Sequence, residues 1–393
     1  MNRRYFMVLL LTVLMMAAMI LPACAQQAPG VPTQKASGAL IPASPAPTSA
    51  APTAAPKPTA SPTATTAVKA KTIRFSYTQP KGASVAKGFE WWGPEFEKRT
   101  GGRYKVEIYP SSTLISLAAQ LDSLKGGVCD IVMTSVGSFP KNFPLSGVAS
   151  LPNLGYPLEK LEHFALAYQS CWDFMNTTPE IQAELKPYKL LLPLILDPYN
   201  LISKKKEIHS ATDFKGLKVG GSGGKMEMVS SNGGAAVQQV PPQTYENMQK
   251  GYIDAAFVTM AQVSDYHLWD LADYYYLGDF GGGFILILMN WDAWNSMSPA
   301  DQTIMMESWQ AASKVSAEGS MENIEKGKKG TVAAGKKLTY PTEAEKADWL
   351  KYNDPCIEKW RKDAKSVGVD DKTLDKVFAA WTTIQKKYLA QMK

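Results

Sequence analysis

The chain has 393 residues and a formal net charge of +6, but the charge is unevenly placed: residues 1–71 hold six basic residues (Arg3, Arg4, Lys35, Lys57, Lys69, Lys71) and no acidic one. With 42 basic and 36 acidic residues in all, the remainder is neutral overall, which removes a whole-domain electrostatic case for nucleic acid. Residues 72–393 are enough for two lobes.

Arg3 and Arg4 precede an apolar run over residues 7–21, followed by Pro22, Ala23 and Cys24. A charged start, a short apolar core and a small residue before the cut describe a secretory signal, too short for a dependable membrane span. Leu21-Pro22-Ala23-Cys24 resembles a bacterial lipobox, which implies that Cys24 is lipidated and becomes the first mature residue; Pro22 departs from the usual small residue there. Ordinary secretion with Cys24 lost is the alternative. Residues 25–71 are mostly Ala, Pro, Thr and Ser and cannot bury enough surface to fold. They read as a disordered tether, spanning roughly 35–40 Å as a flexible coil.

The folded part opens on an alternating strand over residues 72–77. A helix over residues 84–99 carries Phe89, Trp92 and Phe96 as an apolar stripe, and Gly101-Gly102 ends it. A second strand spans residues 104–109, a helix 117–125 and a third strand 130–134. This β-α-β-α-β order predicts a parallel sheet. Residues 213–257 repeat the theme. A short strand at Leu217 and Val219 runs into Gly220, Gly221, Ser222, Gly223 and Gly224. A helix over 226–231, a strand over 235–240, a helix over 244–250 and a strand over 253–258 follow. Such units bind small ligands where strand ends meet a helix start. Three amphipathic, lysine-rich helices are expected at residues 343–352, 357–366 and 374–392. Beyond Cys24 the cysteines are Cys129, Cys171 and Cys356; one disulfide, Cys171–Cys356, and three free buried thiols are both compatible with that odd number.

Several pieces occur in a family order: Thr100-Gly101-Gly102-Arg103, Tyr109-Pro110-Ser111-Ser112-Thr113-Leu114, Leu124-Lys125-Gly126-Gly127-Val128-Cys129-Asp130, Leu151-Pro152, Phe214-Lys215-Gly216-Leu217-Lys218-Val219, Gly251-Tyr252-Ile253-Asp254 and, before the last long helices, Trp291 to Pro299. Together they resemble the solute-binding proteins of tripartite ATP-independent periplasmic (TRAP) transporters, the DctP-like family. The resemblance implies a two-lobed, periplasmic-binding-protein-like α/β fold with a hinge and C-terminal helices. It places lobe one at residues 72–197 with a return over 284–325, lobe two at 198–283 and the helical tail at 326–393. It implies an organic solute held between the lobes, delivery to a small and a large membrane permease subunit, no enzymatic activity and no cofactor or metal.

The family also implies where ligand groups sit, and this chain departs from it. An arginine usually follows the Gly-Leu-Lys strand; Gly220 stands there. A second arginine aligns with Asn200. The asparagine that ends the Gly-x-x-Asp strand aligns with Val258, after Phe257. Ser135 ends the third strand, and Tyr77, Thr78 and Gln79 end the first. Two readings follow. In one, a less charged or partly aromatic ligand is held by Tyr77, Gln79, Asn200 and Phe257. In the other, an anion is held by the glycine turn, with Ser222 and Lys225 adding donors; a plain tight turn is the bland account of the same residues. A different class fits Gly220-Gly221-Ser222-Gly223-Gly224 as G-x-S-x-G, a nucleophile elbow with Asp254 or Asp265 and His267 following. A loop of four glycines matches that pattern easily, and no oxyanion segment precedes it.

Overall fold

The computed structural model describes residues 69–392. The leader, the lipidation at Cys24 and most of the tether lie outside the described residues. Strand β1 (Lys71–Ser76) pairs in parallel with β2 (Tyr104–Tyr109) and β3 (Ile131–Ser135). Between them run α1 (Ala86–Arg99) and α2 (Gln120–Lys125). The stripe expected on α1 is its inner face: Phe89, Trp92 and Phe96 are fully buried, Phe89 and Trp92 meet Phe75 of β1 edge-on, and Phe96 stacks on Trp92. A 3₁₀ turn (Ser146–Ser150), α3 (Leu161–Thr177) and α4 (Pro179–Leu185) lead to the long strand β4 (Lys189–Ser203).

The second half contains β5 (Lys218–Gly221), α5 (Lys225–Ser230), β6 (Ala235–Gln238), α6 (Thr244–Gln249), β7 (Ala255–Thr259), α7 (Met260–Asp265) and β8 (Tyr274–Tyr276). β5 is parallel to both β6 and β7. The chain returns through β9 (Gly282–Met289), α8 (Trp291–Asn295) and α9 (Pro299–Ala333). It ends in β10 (Lys337–Thr339), α10 (Glu343–Leu350), α11 (Asn353–Ser366) and α12 (Asp371–Leu389).

One path of strands, β2-β1-β3-β9-β4-β7-β5-β6, joins the halves. β4 pairs antiparallel with β9 as far as Pro198 and with β7 from Tyr199 onward, with a register shift between Ile195 and Pro198. It is a single ribbon shared by two sheets. Every residue of β9 and of β7 is buried, as expected for strands covered on both faces.

One expected boundary is corrected. The tail boundary near residue 325 falls inside α9, a 35-residue helix that runs unbroken. It spans both halves, with Trp309 stacked on Trp92 of α1 at 4.5 Å and Gly327 against the Met260 backbone of α7. Of the two readings of the cysteines, the three free thiols hold: Cys129, Cys171 and Cys356 are free and buried, and the Cys171–Cys356 disulfide is not formed. The tail helices form as expected, and they also pack inward. Trp349 donates to the Tyr276 hydroxyl at 2.9 Å and meets Phe280 at 4.7 Å between centroids. Trp381 packs against Phe174 and Phe284. The tail thus grips β8 and the loop before β9 at one end and α3 at the other.

Candidate ligand-binding site

The C-terminal ends of β5 and β6 face the loops after β3, and a cleft of about 840 Å³ lies between them. Its first wall comes from Leu117, Val136, Ser138 and Ser150, its second from Ser222, Met226, Gln239 and Val240, and its third from Lys359, Trp360 and Asp363 on α11. The glycine turn after β5 is a point of near contact between the halves. A Cβ placed on Gly137 would sit 3.6 Å from the Gly223 Cα and 3.9 Å from the Ser135 Oγ. Gly223 has φ +75°, a conformation that favours glycine.

Lys225 opens α5 immediately behind this turn. Its side chain is 2 % exposed. The ammonium donates to the Ser222 carbonyl at 3.0 Å and stands 3.9 Å over the Tyr199 ring. Among the described residues no carboxylate pairs with it. Burial pushes its pKa down to about 8, since a low-dielectric site disfavours the charged form. Beside Tyr199 lies Asp197, 5 % exposed, which accepts from the Ala261 amide at 3.2 Å. Burial pushes its carboxyl up to about 7.

Of the residues singled out from the sequence, Ser135, Ser222 and Lys225 come together around this turn. The others are used differently. Tyr77 is fully buried and donates to Glu90 at 2.9 Å; it shares strand parity with Ile73 and Phe75, and so faces the core. Thr78 donates to the Gln79 side chain at 3.3 Å, and neither lines the cleft. Asn200 donates to the Pro198 carbonyl at 3.1 Å and accepts from the Asp279 amide. It is its neighbour Tyr199, on the opposite face of β4, that meets Lys225. Phe257 packs on Phe214 and Phe280, and Val258 is buried opposite Asn200 in the ladder. Gly220 lies under Gln239, whose amide is fixed by Thr244 at 3.0 Å and Asn247 at 2.7 Å. The first reading of the ligand's partners therefore loses Tyr77, Asn200 and Phe257.

The hydrolase constellation is not assembled. Among the described residues neither acid meets His267. Asp254 accepts from the Lys218 amide at 2.9 Å and pairs with Lys205. Asp265 accepts from the Ser84 amide at 3.1 Å, the Ser84 hydroxyl at 2.8 Å and Asn323 at 2.5 Å. Tyr199 and Trp360 were missed. Strand parity next to Asn200 could have found Tyr199; nothing local in the tail says which helix reaches the cleft.

The profile of the bacterial extracellular solute-binding proteins, family 7 (DctP), matches residues 75–363. The chain belongs to that family. This family 7 protein is therefore a solute-binding protein and not an enzyme. A solute-binding protein of Albidiferax ferrireducens is 28% identical over 180 residues, 45% of this chain and 51% of the relative; the match spans about half that relative's length. A TRAP solute-binding protein from Rhodoferax ferrireducens, with copurified benzoate, superposes with TM-score 0.72 at 21% identity, covering 82% of this chain and 99% of the other. One from Anaerococcus prevotii, with bound D-glucuronate, gives TM-score 0.70 at 18% identity, covering 82% and 99%. The two-lobed α/β fold is thereby the fold of TRAP solute-binding proteins. Among the described residues no helix is long and apolar enough to cross a membrane, and no group of His, Cys, Asp and Glu is arranged to hold a metal.

Proposed function

We propose that the protein is the receptor of a TRAP-type secondary transporter, taking up an organic acid between its lobes and passing it to a small and a large permease subunit. Lobe one comprises residues 72–197 and the return from 284, lobe two residues 198–283. A lipid on Cys24 keeps the receptor at the outer face of the cell membrane or in the periplasm, and the tether lets it reach the permease.

The observation that carries the acid is Lys225. Burying an ammonium without a counter-ion costs several kcal/mol, and the Ser222 carbonyl and the Tyr199 ring offset only part of that. An anion arriving at the turn supplies the missing charge. Ser222 and Ser135 flank the same place and add donors. The structural relatives' ligands, benzoate in one and D-glucuronate in another, are both carboxylates.

Mass spectrometry of solute carried through gentle purification should detect a carboxylic acid. Lys225→Met should weaken its binding at least tenfold by calorimetry. A neutral solute, or unchanged affinity in Lys225→Met, overturns this reading.

A further inference from the structure

We infer that the solute is a monocarboxylate with a neutral, largely apolar body, and that Trp360 of the C-terminal helix α11 is a residue that selects it. The inference rests on the organic-acid reading above and narrows it to a class.

The charges around the cleft decide the number of carboxylates. Lys225 is one buried cation that does not itself line the cleft but stands behind its Ser222–Gly223 wall, and a single anion at that turn would match it. The ionisable side chains that line the cleft itself are Glu227, Lys359 and Asp363. Lys359 and Asp363 are paired with each other, while Glu227 takes part in no ion pair among the described residues. The lining therefore presents one uncompensated negative charge. A second carboxylate on the solute would face Glu227 and find no cation, so like-charge repulsion selects against dicarboxylates. The arginine that the resemblance implies at position 220 has no space here, because Gln239 fills the volume above Gly220.

The walls decide the body. The apolar part of the lining is Leu117 and Val136 on one side and Met226 and Val240 on the other, beside Ser138, Ser150 and Gln238. Trp360 closes the third side. It is 7 % exposed, its indole N–H donates to the Pro144 carbonyl at 2.7 Å, and its Cδ1 would be 3.5 Å from a Cβ on Gly147. A ring held along its pyrrole edge, with Phe378 6.3 Å away between centroids, is an apolar wall that loses little freedom when a solute packs on it. It belongs to neither sheet, so its place against the solute is set by the tail.

The test is calorimetry of the full chain with three probes: benzoate (one charge, apolar body), D-glucuronate (one charge, polar body) and succinate (two charges). Benzoate should bind at least tenfold more tightly than either of the others. Trp360→Ala should weaken benzoate at least tenfold and change D-glucuronate less than threefold, and Trp360→Phe should recover most of the loss. Val240→Asn, which wets the facing wall without touching the tail, should reproduce the selective loss and guards against misfolding of the Trp360 variants. Succinate or D-glucuronate binding as tightly as benzoate, or an equal loss for all probes in Trp360→Ala and Val240→Asn, overturns the inference and leaves the organic-acid receptor standing. Binding of none of the three overturns the inference; a neutral solute carried through purification overturns the receptor reading as well.

Discussion

Gly220 has no room for a side chain, because a Cβ there would collide with the Gln239 amide and with Ile253. The position at which the family resemblance implies an arginine is thus closed by a neighbour locked to Thr244 and Asn247; in the proposed reading the cation is Lys225 instead. The two buried ionisable groups at this spot have opposite effects on stability. Asp197 titrates at about 7 in the fold and near ~4 unfolded. The folded chain holds the extra proton, so that contribution is complete below about pH 4 and is lost as pH rises toward 7. Lys225 titrates at about 8 in the fold and above ~10 unfolded. Here the unfolded chain holds the extra proton, so the empty receptor regains stability as pH rises from 8. The melting temperature without solute should fall by on the order of 5 °C between pH 5 and 7.5, a fall that Glu184, pushed up to about 7 by burial, shares; above pH 8 the buried thiols Cys129, Cys171 and Cys356, raised by burial, lose stability with pH and oppose the gain from Lys225. Asp197→Asn should make the fall shallower and Lys225→Met should make the loss above pH 8 steeper; slopes unchanged in both variants would refute the assignment. Ser222 and Lys225 were legible because the glycine turn announces itself. Tyr77, Asn200 and Phe257 were not, because an alignment by motif fixes sequence position, whereas strand parity fixes which face a side chain takes.

At the scale of elements, the first five segments and the unit from β5 to β7 were readable because their apolar periods are local and bounded by Gly or Pro. α9 was not. Gly327 reads as a weak helix position, but it is where the helix presses on the Met260 carbonyl with no room for a Cβ. Close packing, not propensity, placed it there. Beside that seam α1 and α7 are linked through Ser84, Asp265 and Asn323. Ser84 belongs to the first half, Asp265 to the second, and Asn323 to the helix that spans both. Ser84→Ala removes one charge-assisted hydrogen bond, worth about 1.5 kcal/mol or more, from a contact between the halves. Solute dissociation measured by stopped flow should therefore quicken about tenfold, with little change in association. An unaltered off-rate would show that the contact persists when the lobes part.

Over the whole molecule, the tail determines how far the halves can move apart. Trp349 is seated beside Tyr276 and Phe280, Trp381 beside Phe174 and Phe284, and Trp360 lies between them. Small-angle scattering should show contraction on addition of the solute, as for hinge closure. A chain ending at residue 340 would uncover both tryptophan seats and should lose cooperative melting; retention of a sharp transition at the same temperature would mean that the tail contributes little. The tail's helices were legible, but its role as a third wall was not, since a helical period says which face is apolar and never what it will meet.

β4 carries one further consequence. Because its backbone passes from one hydrogen-bonded ladder to the next with only the irregularity between Ile195 and Pro198 to soften it, this joint has no slack of the kind a loose linker gives. Opening and shutting must twist a single ribbon, and a ribbon resists torsion in proportion to the angle turned. The receptor thus behaves as a torsion spring: part of the energy of gripping the solute is held in the joint and becomes available as recoil when the cargo is handed on.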